Sequence, residues 1–226
     1  MSAFLQADTV LIDAGVGPRS IAAGLAEATT SLERDLVVMI DVGGDMLADG
    51  SEPGLRSPLC DALMLAAGFR LAELGVPVLG GVFGLGCDGE LTLAEGFERL
   101  SAIAGAGGLL GVRGLTEPVA ARLEAAMETV PTEASMLAVG AFRGQYGSVE
   151  IRGGAVTVEV TPVAAQTAFL DLETTFGTTG RLARVVSDTT TLDEANEVLH
   201  GLGVRTELDL ERARRATGSA SASVIP

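Results

Sequence analysis

Apolar positions in the first half of the chain fall into short and long runs that alternate. Residues 36–40 and 76–83 form short runs of strand length, and each is followed by glycine and acidic residues. Residues 59–74 and 93–104 instead carry apolar side chains at helical spacing. Strands that alternate with helices of this length predict an α/β fold, Rossmann-like and doubly wound, with a mainly parallel sheet and helices on both faces.

The same patterns predict the remaining elements. A strand at residues 9–13 precedes an alanine-rich helix, and another strand is predicted at residues 107–113. Beyond about residue 130 the pattern changes, because two alternating runs flank Gly153-Gly154 and predict a β-hairpin. A strand at residues 167–172 and helical segments complete a hairpin and helical extension at the C-terminal end.

Length and composition fit one domain. With 226 residues, of which 47% are hydrophobic, the chain can bury a substantial core. We expect a single α/β domain over residues 1–212, with a core at about 9–130 and the extension at about 131–212. Residues 213–226 are small, polar and unpatterned, which predicts a disordered tail.

No stretch of the sequence indicates export or membrane insertion. The N-terminus has no basic start, and the apolar runs are well short of the roughly 20 residues that a spanning helix needs. Two cysteines do not make a disulfide framework, which favours reduced thiols. We therefore expect a cytoplasmic protein.

Charge and the scarcity of two residue types exclude several functions. A formal net charge of −15 repels nucleic acid and anionic membranes, so neither is an expected partner. All 15 basic residues are arginine, which removes a Schiff-base lysine for pyridoxal phosphate and the lysine of a phosphate-binding P-loop. His200 is the single histidine, so we expect no haem, no multi-histidine zinc site and no serine–histidine–carboxylate triad.

The acidic residues concentrate after two of the predicted strands. One strand ends in Asp41-Val-Gly-Gly-Asp45, and the next ends in a loop that contains Gly86-Cys-Asp-Gly-Glu90. Between them, Ser57-Pro58 predicts a helix start, with Ser57 as the cap and Asp61 in the first turn. Ligands of open α/β sheets bind at the carboxyl ends of the strands. We therefore expect these acids to meet at one edge of the sheet.

Carboxylates held close together repel one another, so one of them must be protonated or they must share a cation. Oxygen ligands favour Mg²⁺ or Mn²⁺ over zinc. The predicted metal ligands are Asp41, Asp45 and Asp88. The predicted catalytic residues are Asp45, Asp61, Asp88 and Glu90, and the predicted substrate-binding residues are Gly43, Gly44, Glu52, Arg56, Ser57 and Gly89.

Other interpretations of the same residues stay open. Aspartate and glycine at strand ends commonly make turns, Ser57 can serve as a helix cap alone, and Glu52 and Arg56 can form an exposed ion pair. Cys87 is a candidate nucleophile, although its acidic neighbours raise the pKa of a thiol. Gly15-x-Gly17 after the first predicted strand is a degraded dinucleotide fingerprint, with Asp41 at about the place of a ribose-binding acid.

Five stretches carry a resemblance to a known family. They are Asp41-Val-Gly-Gly-Asp45, Glu52-Pro-Gly-Leu-Arg-Ser-Pro58 with Asp61, Gly86-Cys-Asp-Gly-Glu90, Pro131-Thr-Glu-Ala-Ser135 and Gly201-Leu-Gly-Val-Arg-Thr-Glu-Leu-Asp209. In these the chain resembles the domain of unknown function 1152, an uncharacterised family of archaea and actinobacteria. The resemblance covers most of residues 9 to 212 and implies a Rossmann-like core, but it supplies no activity.

The resemblance also implies a difference at the N-terminus. Family members typically carry a glycine-rich strand, loop and helix before the region that opens here at Thr9. A sheet without that unit exposes an edge and an apolar face. We therefore expect a homo-oligomer, or a partner chain that supplies the unit.

The leading hypothesis is an enzyme, or an enzyme subunit, that acts on a small polar metabolite with a magnesium-like ion. Metal-assisted group transfer or hydrolysis is the favoured chemistry. The alternative is a non-catalytic ligand-binding or scaffold subunit, and a third possibility is a nucleotide-binding protein that uses Gly15, Gly17 and Asp41.

Overall fold

The structure, a computed structural model, describes residues 2–216 and contains helices and two small sheets. The helices are α1 (Ser2–Leu5), α2 (Gly17–Ser31), α3 (Pro58–Glu73), α4 (Leu93–Gly105), α5 (Glu117–Met127), α6 (Glu133–Phe142), α7 (Leu172–Thr178), α8 (Arg181–Val186), α9 (Leu192–Gly201) and α10 (Glu207–Ala216). The strands are β1 (Val37–Val42), β2 (Val78–Phe83), β3 (Leu109–Gly114), β4 (Gly147–Ile151), β5 (Val156–Val160) and β6 (Gln166–Asp171).

The main sheet is mixed, in the order β1-β2-β6-β3. Strands β1 and β2 are parallel and in register from Val37 opposite Val78 to Val42 opposite Phe83. Strand β6, which follows the hairpin in sequence, lies between β2 and β3 and is antiparallel to both. The fold is therefore α/β, but the expectation of a mainly parallel sheet is wrong, because the extension contributes a central strand. The hydrophobic pattern of residues 167–172 predicts this strand, but it does not show the position or the direction of the strand in the sheet.

The predicted first strand at residues 9–13 does not form. These residues have no regular structure, and Leu11 is 96% exposed. A strand needs a paired neighbour, and this segment is paired with none of the described strands. The side chain of Asp13 instead accepts a hydrogen bond from Gly15 N at 2.8 Å and opens a single 3₁₀ turn before α2.

Helix α3 is the centre of the larger core. Nine of its 16 residues are buried, and Leu59, Leu63 and Leu71 are fully so. On the sheet side, Met39 of β1 and Leu172 occupy the space beside Gly68 where a Cβ would lie. Because side chains alternate along a strand, Asp41 lies on the same face of β1 as Met39 and faces α3.

A second, smaller core covers the other face of the sheet at the carboxyl ends of β1 and β2. Phe83 and Cys87 pack there with Leu137 of α6 and with the hairpin of β4 and β5. The predicted hairpin is confirmed. Nearer the start of β1, Val38 and Ile40 point to this same face and remain 44% and 45% exposed.

The first residues of the predicted disordered tail are helical. Helix α10 extends to Ala216, so residues 213–216 are helical, whereas residues 217–226 of the predicted tail lie outside the described residues. Acidic residues in its first turn and arginines in its last turn suit the helix dipole, and Arg215 pairs with Glu211 one turn earlier. Within residues 2–216, no helix has the length and apolar character to cross a bilayer.

Candidate metal and substrate site

The loops after β1 and β2 are bound to each other at the carboxyl ends of the two strands. Gly43 N donates to Phe83 O at 2.9 Å, and Gly86 N donates to Gly43 O at 2.6 Å. Gly43 has a φ of +122°, and a Cβ there would lie 2.2 Å from the carboxyl carbon of Asp88. Gly43 therefore leaves room for the carboxyl group of Asp88 against the first loop.

Five acidic side chains meet beside these loops. One carboxylate oxygen from each of Asp41, Asp45 and Asp61 lies within 4.8 Å of the others, and the same holds for Asp45, Asp88 and Glu90. Asp61 comes from the first turn of α3, which starts at Pro58 as the sequence predicts. The structure thus brings together the residues that the sequence predicts as metal-binding and catalytic.

Glu90 differs from the other four acids because its acceptor positions are filled. One oxygen accepts Arg56 N at 2.7 Å and Ser57 N at 2.8 Å, and the other accepts the Ser57 hydroxyl and Arg152 Nη2, the latter at 2.9 Å. Two donors on each oxygen use the lone pairs that a carboxylate offers. The geometry of Glu90 is that of a structural anchor.

We call Asp41, Asp45, Asp61 and Asp88 the aspartate cluster. Its oxygens have few donors: Asp41 accepts Met46 N at 3.1 Å and the backbone N–H of Gly44, and one oxygen of Asp88 accepts Glu90 N at 3.1 Å. The other oxygen of Asp88 is buried and has no hydrogen-bond partner. Asp45 is 7% exposed, and its hydrogen-bonding neighbour is another acid, Asp41. Buried acceptors without donors are rare in folded proteins and need a partner such as a water molecule, an ion or a ligand.

Burial and mutual repulsion keep the aspartate cluster partly protonated. Burial raises the pKa of Asp41 to about 6 and that of Asp88 to about 7. The pKa values of Asp45 and Asp61 are raised well above their ordinary range, first by burial and then by the neighbouring carboxylates. Four negative charges are thus not stable together here without a positive charge between them.

The aspartate cluster lies in a cleft of about 860 Å³. The start of α3 forms one wall with Arg56 and Ser57, and the start of α6 forms another with Ser135. Arg152 of the hairpin and residues of α10 complete the lining. This volume suits a small molecule.

The predicted substrate-binding residues divide into two groups. Arg56 and Ser57 line the cleft. Glu52 does not line it; its side chain accepts Asp49 N, Gly50 N and Arg99 Nη2, each at 2.9 Å. The interpretation of Glu52 and Arg56 as an exposed ion pair is therefore wrong, because Glu52 is buried and pairs with Arg99.

The predicted glycines have conformational roles. Gly44, with a φ of +113°, precedes the 3₁₀ turn that places Asp45, whereas Gly89 packs against Val156 of the hairpin and does not line the cleft. Ser57 is at the cap position of α3, but its hydroxyl donates to Glu90 and caps no N–H.

Sequence reasoning missed two residues of the cleft, Arg152 and Glu207. Arg152 contacts Glu90, and its backbone N donates to both oxygens of Glu133 at 3.1 and 3.0 Å. Glu207 of α10 accepts Leu59 N at 3.1 Å and Cys60 N at 2.7 Å and thereby caps α3. The Pro131-Thr-Glu-Ala-Ser135 stretch marked Glu133, but no local pattern shows contacts across such distances in the sequence.

The structure gives no support to two other predicted features, the candidate nucleophile and the candidate dinucleotide-binding glycines. Cys87 is 1% exposed, and burial raises the pKa of its thiol to about 12, so it is a packing residue. Gly15 and Gly17 follow no strand and do not line the cleft. At Gly17, the backbone of Thr189 and Thr190 occupies the space that a Cβ would take, so this glycine serves close packing.

Comparison with known proteins gives one result. A family model described as "Protein of unknown function (DUF1152)" matches residues 1–215. No curated protein and no solved structure matches the chain significantly.

Proposed function

The chain belongs to the DUF1152 family, and we propose that it is a metal-dependent enzyme, or a subunit of one, that acts on a small polar metabolite. In this proposal the aspartate cluster binds a divalent cation of the magnesium type. The cleft above it holds the metabolite.

The observation that carries the proposal is the contrast in hydrogen bonding within the cluster of acids. Glu90 and Glu52 are buried with their oxygens accepting N–H and O–H groups, whereas a buried oxygen of Asp88 has no partner. An ion at the aspartate cluster would satisfy that oxygen and neutralise the repulsion that raises the pKa of Asp88. Carboxylate oxygens are the ligands that magnesium and manganese prefer.

The position of the site supports a catalytic role. Asp41 lies on β1 and Asp61 on α3, so a strand and a helix hold two of the carboxylates, and Asp45 lies in the 3₁₀ turn that follows β1. All of them line the cleft. A bound divalent ion polarises an oxygen of the substrate or activates a water molecule. Group transfer or hydrolysis is the chemistry that these groups support best.

The second candidate is a non-catalytic ligand-binding subunit. The chain has no lysine, and its single histidine does not line the cleft. Proton transfer in the cleft would therefore depend on carboxyl groups. A metabolite that copurifies with the protein and stays unaltered during incubation with Mn²⁺ would support this candidate.

Manganese binding tests the proposal. In a titration followed by electron paramagnetic resonance, the protein should remove free Mn²⁺ from solution. Asp45→Asn should weaken binding about 100-fold or more, since loss of even an outer-shell partner typically costs 10–100-fold. Asp171→Asn is the matched control, because Asp171 ends β6 and caps α7, and asparagine caps equally well. Equal Mn²⁺ binding by wild type and Asp45→Asn would refute the proposal.

We also propose that a second copy of the chain covers part of the open sheet. Val38 and Ile40 are 44% and 45% exposed on β1, which is an edge strand. The edge of a sheet has unpaired backbone groups that another strand can bind, and exposed apolar side chains beside it favour the same contact. Light scattering should give at least twice the 22.9 kDa of one chain. A monomer at high protein concentration would contradict this.

A further inference from the structure

We propose that the cleft binds its substrate through a phosphate group, held between the cation and the guanidinium groups of Arg56 and Arg152. This inference rests on the proposed function, because the cation is one of the three positive groups. It assigns the substrate to the phosphorylated metabolites.

The backbone of Arg56 and the side chain of Arg152 both bind Glu90, next to the aspartate cluster. Glu90 accepts the backbone N of Arg56 at 2.7 Å and the side chain of Arg152 at 2.9 Å. The same Glu90 has a carboxylate oxygen within 4.8 Å of oxygens of Asp45 and Asp88. The two arginines therefore lie next to Glu90, and both line the cleft that contains the aspartate cluster.

The two guanidinium groups retain donors for a ligand. Arg56 reaches Glu90 through its backbone, and its side chain takes part in none of the ion pairs among residues 2–216. Arg152 uses Nη2 for Glu90, and a guanidinium has five N–H donors. Planar guanidinium groups match phosphate oxygens in a two-pronged geometry.

The backbone of Arg152 is held in an unfavourable conformation at the cleft. Its φ is +53°, in the left-handed region that residues other than glycine rarely adopt. Both oxygens of Glu133 accept its N–H, and this interaction stabilises the conformation. Arg152, Gly153 and Gly154 all have positive φ and form the turn between β4 and β5, and this turn places Arg152 in the lining of the cleft.

The coordination chemistry of a bound magnesium-type ion favours phosphate over a carboxylate group. Magnesium in proteins is commonly held by one or two carboxylates together with the phosphate of a substrate. A phosphate carries close to two negative charges at neutral pH, and its oxygens form strong, charge-assisted hydrogen bonds with guanidinium groups. The chain contains no lysine, so the strongly basic side chains that a phosphate can meet in this cleft are arginines.

Phenyl phosphate is a suitable probe because the phosphate is its single charged group. Calorimetry with saturating Mg²⁺ should show that wild type binds it, and that Arg56→Gln weakens binding at least tenfold. Arg56 suits the test because its structural contact is made by its backbone. Arg152→Lys keeps the charge beside Glu90, and it should also weaken binding. Arg122→Gln, on exposed α5 and outside the cleft, should leave the affinity within twofold.

The same variants distinguish the two proposals. Without phenyl phosphate, Arg56→Gln should bind Mn²⁺ as tightly as wild type. If Mn²⁺ binds but phenyl phosphate binding is unaffected in both arginine variants, or malonate binds as tightly as phenyl phosphate, the phosphate proposal is overturned and the cation proposal stands. If no ion binds but phenyl phosphate affinity still depends on Arg56 and Arg152, the cation proposal fails and the arginine subsite is supported.

Discussion

Two groups of buried acids lie close together in this protein, and they differ in what surrounds their oxygens. Glu52 and Glu90 accept three and four hydrogen bonds from protein groups, including one from an arginine in each case. The aspartate cluster has few such donors, and Asp88 has a buried oxygen without any. Burial of an acid is therefore no sign of function by itself. The absence of donors around a buried acid is the informative feature.

The difference implies opposite effects on folding. A buried carboxylate that accepts several hydrogen bonds stabilises the structure that surrounds it, and its removal leaves donors unpaired. Carboxylates that repel one another destabilise the fold until a cation binds. Substitutions in the two groups should therefore change stability in opposite directions.

The largest expected effect is that of Glu90→Gln. The amide nitrogen of glutamine cannot accept a hydrogen bond, and the charge opposite Arg152 is lost. Breaking a buried ion pair costs about 3 kcal/mol or more of unfolding free energy. Urea unfolding measures the change, with exposed Glu150→Gln of the same hairpin region as the control. Stability equal to that of wild type would show that Glu90 is no anchor.

Gly43→Ala should have the next largest effect. The new Cβ would collide with the Asp88 carboxyl group, and alanine is strained at a φ of +122°. We expect a loss of about 2 kcal/mol, together with loss of Mn²⁺ binding. Gly75→Ala is the control: Gly75 has a φ of +85° in open space, so it reports the strain alone. Normal Mn²⁺ binding by Gly43→Ala would mean that the position of Asp88 does not matter.

The pH dependence of stability should show the repulsion directly. The pKa of Asp88 is about 7 in the folded protein and has an ordinary value of 3.8, so between these pH values the folded state binds more protons than the unfolded state. Stability without added metal should therefore fall, by on the order of 1–2 kcal/mol, as pH rises from 5 to 8. Adding Mg²⁺ should restore it at pH 8 and have little effect at pH 5, because protons and the cation compete for the same oxygens. A metal-free protein that is more stable at pH 8 than at pH 5 would contradict the repulsion.

Asp45→Asn should have the smallest effect, with the opposite sign. Removing one of the repelling carboxyl groups should stabilise the metal-free protein by about 1 kcal/mol at pH 8, since uncompensated buried charge is destabilising. The same variant should gain no stability from Mg²⁺. Destabilisation of Asp45→Asn by as much as Glu90→Gln would place Asp45 among the structural acids.

The sequence predicted the meeting of the acids well because the inference needed only local signals. Apolar runs that end in glycine and aspartate placed Asp41 and Asp88 at neighbouring strand ends, and Pro58 placed Asp61 in the first turn of α3. Parallel pairing of β1 and β2 then brings these residues to one edge. The unpredicted parts depend on contacts between distant segments. Insertion of β6 between β2 and β3, the cap that Glu207 provides to α3 and the approach of Arg152 to Glu90 have no local pattern.

Residues 9–13 show that a local signal can also predict an element that does not form. Their apolar run favours a strand as strongly as that of β1 does, but β structure also requires a partner, and Leu11 is 96% exposed. Likewise, the local sequence does not show that Glu52 and Glu90 accept several hydrogen bonds whereas Asp88 accepts few. Only the positions of the surrounding N–H groups separate structural acids from the aspartate cluster.

Anomalous diffraction from crystals soaked in Mn²⁺ tests the central claim most directly. We predict a peak at the aspartate cluster, bound by Asp45 together with either Asp41 and Asp61 or the unpartnered oxygen of Asp88, at roughly the 2.0–2.1 Å that a magnesium-type ion requires, and no peak beside Glu52. An empty aspartate cluster in crystals that bind Mn²⁺ elsewhere would contradict it.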